Sequence, residues 1–275
     1  MTRIAILQMT SGIEPAANAQ TLMRAVERAA EGGAAMLFTP EMSGLLDRDR
    51  KRAAASIRPE GEDVVLVAVR EAAARAGLWV ALGSLAVERE DGRWANRSFL
   101  IDGSGAVAAR YDKIHMFDVA LASGESWRES AAYAPGEAVV TAETPVGKLG
   151  LTICYDVRFP ALFEELGKQS CDFIAIPAAF TVPTGEAHWH LLQRTRAIEA
   201  SAFVVAAAQV GEHEDGRRTY GHSLVVDPWG EVLLDMGGDA AGLGFAELDS
   251  ARIADVRGQL PSLANRRDIP RSNER

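Results

Sequence analysis

Residues 148–160 read KLGLTICYDVRFP: a short apolar strand runs into a single cysteine, turns, and starts a helix. Strand parity puts Leu149, Leu151 and Ile153 on one face and Gly150, Thr152 and Cys154 on the other, where small side chains leave room for a ligand. Tyr155, Asp156 and Val157 are expected to make the turn, and Arg158, Phe159 and Pro160 to open the helix. A thiol at a strand-to-helix turn sits beside backbone N–H groups that lack an acceptor, which favour a thiolate and can hold a developing oxyanion. Cys154 is therefore the candidate nucleophile. A buried structural cysteine is the competing reading, because unpaired Cys is among the residues most often found inside.

The segments around this stretch define the layers. Residues 3–9, Met36-Leu37-Phe38 and DFIAIP at 172–177 are strand-like and apolar on both faces, and FVVAAAQ, SLVVD, EVLLDM and GLGFAEL extend the set toward the C-terminus. Sheets built from such strands must be covered on both sides. Helical patterns occur at 14–31, with Leu22, Met23, Val26 and Ala30 inward, at 61–76, from about 158 to 168, at 186–202, with Leu191, Thr195, Ile198 and Ala202 on one stripe, and at 249–258. LWVALGSLAVE, WANRSFLID and AVAARYDK, separated by Glu90-Asp91-Gly92 and Gly103-Ser104-Gly105, predict consecutive antiparallel strands over 78–111. Further strands are expected at 138–143 and 148–154. Helices that do not alternate strictly with parallel strands disfavour a barrel, and the pattern predicts an α/β fold, a four-layer α-β-β-α sandwich. Two stretches have no clear period: a long loop at 114–137 and a charged loop, GEHEDGRRTYG, at 211–221.

The 275 residues, 48% hydrophobic, can bury a large core, and no Pro/Gly/Ser-rich linker divides them. Residues 1–260 read as one domain and 261–275 as an Arg-rich tail. A formal net charge of −9 with interspersed charges argues against a nucleic-acid surface. No signal-like run and no apolar stretch near the roughly 18 residues of a membrane span is present, so a soluble cytoplasmic protein is expected. The two cysteines, Cys154 and Cys171, have no disulfide or metal-ligand spacing, and Cys171 reads as packing.

A nucleophilic cysteine needs a base, an oxyanion holder and an acid for the leaving group. Five histidines are available: His115, His188, His190, His213 and His222. His188 and His190 would point about 200° apart on one helix, which argues against joint action, and neither HExxH nor paired CxxC motifs suggest a metal. A glutamate base with a lysine oxyanion holder is the alternative. Glu41 follows one strand and Lys113 ends another, as Cys154 ends a third; singly, each is also readable as a surface or helix-start charge.

TPEMSG at 39–44, YDKIHMFD at 111–118 and TICYDVRFP at 152–160 resemble, in order, the three catalytic motifs of the nitrilase superfamily of carbon–nitrogen hydrolases. The similarity runs from about residue 3 to 270 and includes WRESAAYAPG, PAAFTVPTGEAHW, RTRAIE and YGHSLVVDPWG. It implies the α-β-β-α sandwich, a Glu41-Lys113-Cys154 triad, a further active-site glutamate at Glu129, no metal or organic cofactor, and homodimers or larger homo-oligomers. Lys113 and the Tyr155 N–H would hold the oxyanion, and Glu129 would orient Lys113 and offset its charge. Desolvation would raise the proton affinity of Glu41, making it the acceptor of the thiol proton.

GEAHWHLLQRTRAIE and AQVGEHEDGRRTYGHSLVVDPWG look most like the branch of deaminated-glutathione amidases and omega-amidases. The resemblance implies hydrolysis of a terminal carboxamide of a small carboxylic acid to acid and ammonia through a thioester. Arg158 is the expected counter-charge for the carboxylate, Phe180 and Thr181 are candidate pocket walls, and Arg217 and Arg218 candidate rim charges. Loops 119–128 and 211–219 are where substrate choice is expected to reside. Nitrile, N-carbamoyl, thiol-redox and non-catalytic readings compete with this one, and a resolving cysteine is lacking for the redox alternative.

Overall fold

The computed structural model describes residues 1–120, 124 and 126–269. In chain order they form β1 (Thr2–Gln8), α1 (Pro15–Glu31), β2 (Met36–Phe38), α2 (Arg50–Ala54), α3 (Val64–Ala76), β3 (Trp79–Glu88), β4 (Trp94–Ile101), β5 (Val107–Asp112), β6 (Asp118–Ala120) and β7 (Ser126–Arg128). There follow β8 (Thr141–Thr144), β9 (Gly147–Leu151), α4 (Pro160–Lys168), β10 (Phe173–Ala175), α5 (Val182–Ala200), β11 (Phe203–Ala206), β12 (Val210–Glu212), β13 (Arg218–Tyr220), β14 (Leu224–Val226), β15 (Val232–Asp235), β16 (Gly242–Leu248) and α6 (Ala251–Gln259).

Two six-stranded sheets, ordered β16-β1-β2-β3-β4-β5 and β15-β14-β11-β10-β9-β8, pack face to face. β1, β2 and β3 run parallel, as do β9, β10 and β11, while the outer strands join antiparallel. Between the sheets, Ile4, Ile6, Phe38, Leu100 and Tyr111 meet Leu149, Leu151, Phe173 and Phe203 in one buried cluster. On the far side of the first sheet, α1 and α3 cover Ala5, Leu7, Leu37 and Val80 with Leu22, Val26, Leu66 and Val69. This is the α-β-β-α sandwich. The apolar-on-both-faces pattern follows from it, since each central strand has a helix on one side and a sheet on the other.

Several local expectations shift. Helix 61–76 is a 3₁₀ turn at Glu60–Glu62 followed by α3, because the Asp63 carboxylate accepts from Val65 N and Leu66 N and caps the helix there. α5 begins at Val182 rather than 186, with Pro183 in the first turn, where a missing N–H costs nothing. The Leu191/Ile198 stripe faces outward, with Leu191 67% exposed; Trp189, Gln193, Arg196 and Ala197 form the buried face. Two structureless stretches each contain a hairpin, β6–β7 in the first and β12–β13 in the second. The strand expected at 138–143 is β8, starting at Thr141, and β9 ends at Leu151, three residues short of Cys154. Strand parity therefore does not extend to the cysteine. Cys171 is fully buried, as its packing role requires, and burial pushes its thiol up to about 11.

Candidate active site

Three chain segments leave the ends of β2, β5 and β9 and converge. Thr39-Pro40-Glu41 runs against β3 at Gly83, where a Cβ would come within 2.0 Å of Thr39 O, so only glycine admits this approach. Thr39 Oγ1 accepts from Gly83 N, and Gln209 Nε2 donates to the Glu41 carbonyl, which sets the direction of the Glu41 side chain. Lys113 follows β5; its N–H donates to Asn96 O, and its carbonyl accepts from Gly136 N, another site where a Cβ would collide with backbone.

Cys154 opens a 3₁₀ turn, Cys154–Arg158, with φ of 48°, the left-handed region that a non-glycine residue enters at a cost of about 1–3 kcal/mol. The fully buried Asp156 carboxylate holds this turn. It accepts from Tyr111 Oη at 2.7 Å, Ile153 N at 2.9 Å and His115 N at 3.0 Å, and lies 2.7 Å from His115 Nδ1. His115, one of the sequence's unassigned histidines, is thereby a brace for the turn, stacked on Phe159 at 3.5 Å. Tyr155 stands at the second position of the turn, where a backbone N–H has no intrahelical acceptor.

The side chains meet in a buried ion cluster. Lys113 Nζ donates to Glu41 Oε1 at 2.9 Å and to Glu129 Oε2 at 2.9 Å and Oε1 at 3.2 Å. Glu129 also accepts from Phe117 N at 2.6 Å and Asn96 Nδ2 at 3.0 Å, which fixes its carboxylate beside Lys113. Glu41 accepts from Asn96 Nδ2 at 2.9 Å and from Ala179 N at 2.9 Å. Asn96, fully buried on β4, ties the two carboxylates together and was not singled out from the sequence; a polar residue at an inward strand position was its only signal.

Electrostatics corrects one expectation. Burial alone pushes Glu41 up, but the Lys113 charge and hydrogen bonds from Cys154, Lys113 and Asn96 outweigh it and hold the carboxyl below its usual range. Burial opposes the charge on Lys113 as well, yet Glu129 and Glu41 keep it protonated to well above the usual lysine range. Burial and the Glu41 charge push the Cys154 thiol up well above its usual value. The resting site is thus a neutral thiol beside an ionised carboxylate and an ammonium. Because the acceptor must be ionised and the thiol protonated, kcat/KM is expected to be level from about pH 5 to about pH 9 and to fall below that as Glu41 protonates. A stopped-time assay across this range checks it; an acid limb above about pH 6 contradicts the assignment.

A cleft of about 1060 Å³, mouth included, opens onto the cluster and is lined by Glu41, Lys113, Glu129, Cys154, Tyr155, Phe180 and Thr181 among others. Arg217 and Arg218 line it, as expected, and Arg217 lies 4.7 Å over the Trp127 ring. Arg158 does not line it. With about three residues per 3₁₀ turn, Arg158 stands roughly 120° round from Cys154. Its guanidinium packs 5.3 Å from the Phe180 ring, 5.9 Å from the Tyr155 ring and 3.4 Å from His188 Nδ1. Of loop 119–128, residues 121–123 and 125 lie outside the described residues. Among the described residues, His190, His222 and Asp235 bring metal-type ligand atoms within 4.8 Å of one another, and none of the three lines the cleft.

Residues 3–258 match the model of the carbon-nitrogen hydrolase family. The chain belongs to the carbon–nitrogen hydrolase family. A deaminated glutathione amidase of Yersinia enterocolitica is 40% identical over 273 residues, spanning 97% of this chain and 93% of that one. The Caenorhabditis elegans NitFhit crystal structure superimposes with a TM-score of 0.89 at 35% identity, over 97% of this hydrolase but only 65% of that longer chain. Saccharomyces cerevisiae Nit3, a member of branch 10 of the nitrilase superfamily, gives 0.84 at 26% identity over 94% of both. The protein is an enzyme, a carbon–nitrogen hydrolase of the amidase type. No helix among its described residues is long and apolar enough to cross a membrane.

Proposed function

We propose that this hydrolase cleaves the amide of a small carboxylate-bearing acyl compound, deaminated glutathione or a related 2-oxo acid amide, through a Cys154 thioester. The observation that carries the reading is that Glu41, Lys113 and Cys154 line one cleft, with Lys113 Nζ 2.9 Å from Glu41 Oε1. Glu41 takes the thiol proton as sulfur attacks the amide carbonyl. The oxyanion forms against the Lys113 ammonium and the Tyr155 N–H. Collapse breaks the C–N bond while Glu41 returns the proton to the departing nitrogen, and the thioester remains. Water then gives a proton to Glu41 and attacks the thioester; the second collapse frees the acid and restores the thiol. Glu129 positions Lys113, and Phe180 and Thr181 wall the acyl group.

The chemistry of the substrate sharpens the product. Glutathione's glutamyl amide is secondary, so its deaminated form has no primary carboxamide and releases cysteinylglycine; ammonia is the product only from primary amides such as a 2-oxo acid amide. Incubating the purified enzyme with deaminated glutathione, a 2-oxo acid amide, a nitrile and an N-carbamoyl amino acid is expected to give hydrolysis of the first two at kcat/KM at least about 100-fold above the others. Efficient turnover of the nitrile or carbamoyl compound alone overturns the reading.

The same proposal takes residues 1–260 as one hydrolase domain with 261–275 as a tail, working in the cytoplasm as a homodimer or larger homo-oligomer. Support for association comes from the outward face of α5, where Leu191 and Ile198 are exposed beside the turn carrying Trp229 and Gly230. The unpaired Cys154 and Cys171 suit a reducing compartment.

A further inference from the structure

The charge of the cleft is opposite to that of the protein. The chain carries a net −9, yet six cations line the cleft, Arg48, Arg50, Lys113, Arg128, Arg217 and Arg218, against the three carboxylates of Glu41, Asp47 and Glu129. Lys113 is matched by Glu41 and Glu129. Asp47 is taken by Arg52, outside the cleft, at 2.6 and 2.8 Å. Arg217 is held by Asp215 at 2.9 Å, and that carboxylate also accepts the Arg48 N–H at 2.8 Å. The Arg50 guanidinium donates to the Arg128 carbonyl, and Arg128 lies across the β6–β7 pair from Asp118. Among the described residues none of Arg48, Arg50, Arg128 and Arg218 has an ion pair; Arg50 has the Arg128 carbonyl and Arg128 has Asp118 as its cross-strand neighbour, while Arg48 and Arg218 have neither, and both line the cleft with Trp127.

Trp127 supplies an independent observation. Its indole Nε1 is buried and has no hydrogen-bond partner, although the ring lines the cleft. A buried donor without an acceptor is unfavourable, a penalty an arriving oxygen removes. Unpaired guanidiniums and an unmatched indole N–H lining one cleft suit a carboxylate, which accepts several hydrogen bonds at once.

We infer that the mouth of the cleft is a second subsite, in which Arg48, Arg218 and the Trp127 N–H hold a carboxylate at the end of the substrate remote from the reacting amide. The preferred substrates are then amides with two carboxylates, one on the acyl part and one at the far end. This rests on the amidase reading above, and the test separates the two.

The probes are deaminated glutathione and the same compound with its glycine carboxylate capped as an N-methylamide, followed by release of the 2-oxo acid. Capping is expected to raise KM at least tenfold with little change in kcat. In the Arg48→Gln/Arg218→Gln enzyme that discrimination falls below twofold, Arg218→Lys recovers part of it, and Trp127→Phe, which keeps the ring under Arg217, reduces it. Circular dichroism melting checks that the variants are folded. Calorimetric binding of both probes to Cys154→Ala protein reads the subsite without turnover. If neither probe is hydrolysed, the proposed function fails, while a tenfold binding difference still upholds the subsite. Equal binding of the two probes, or discrimination that survives in the double variant, overturns the subsite.

Discussion

Cys154→Ala is expected to lower amide turnover by about 10⁴-fold or more while leaving the fold intact. The loss is large because no other group can form the acyl intermediate: Cys171, the other thiol, is fully buried and its thiolate is disfavoured by burial. The Lys113 and Tyr155 donors remain in the variant, yet they stabilise an oxyanion that no longer has a nucleophile to create it. Stability should change by no more than about 1 kcal/mol, since only the sulfur is removed and the turn stays braced by Asp156. Product release and a thermal melt on the same preparation check both halves. Intact mass after a slow substrate adds a direct readout, an acyl adduct on the parent enzyme that is missing from the variant. Residual turnover above about one per cent would falsify the assignment of Cys154.

Lys113→Met is expected to harm stability as well as catalysis. In the parent protein the ammonium lies 2.9 Å from one oxygen of each glutamate, with Lys113 and Glu41 both buried. Removing it leaves two carboxylates facing each other in a low-dielectric pocket, a change that costs about 3–5 kcal/mol when a buried pair is broken. The sign of the pH dependence then reverses. In the parent, Glu41 is depressed below its unfolded value, so its contribution to stability is present above the usual carboxylate range and is lost as the pH falls through the lower folded value. In the variant one carboxyl must bind a proton, its folded pKa rises above the unfolded one, and the deficit shrinks on going from about pH 8 to about pH 5. Urea unfolding at these two pH values tests this. Equal deficits at both would show that the two carboxylates do not face each other as described.

The sandwich was legible because its cause is local. Strands apolar on both faces state that each has a cover on either side, and a helix can be read from its own period and caps. The residues at the ends of β2, β5 and β9 were legible for another reason, as ordered motifs that resemble a family. Asn96 was not, because nothing about an asparagine in WANRS says that two glutamates lie beside it. The place of Arg158 was not legible either: it is close to Cys154 in sequence, but the 3₁₀ turn carries its guanidinium to the Phe180 ring, outside the cleft lining. Glu41's proton affinity was misjudged because burial was weighed without the Lys113 charge that outweighs it.

By itself, the sequence determined the layers, the candidate nucleophile and the family, since these depend on residue types and spacing along one segment at a time. Only the tertiary structure decided the charge environment of Glu41, the Lys113 and Asn96 contacts it shares with Glu129, and the cationic lining of the cleft. Each of these is set by charges and donors far apart in the chain, Glu41 and Lys113 by 72 residues and Arg48 and Asp215 by 167, whose interaction exists only once folding has put them within hydrogen-bond reach.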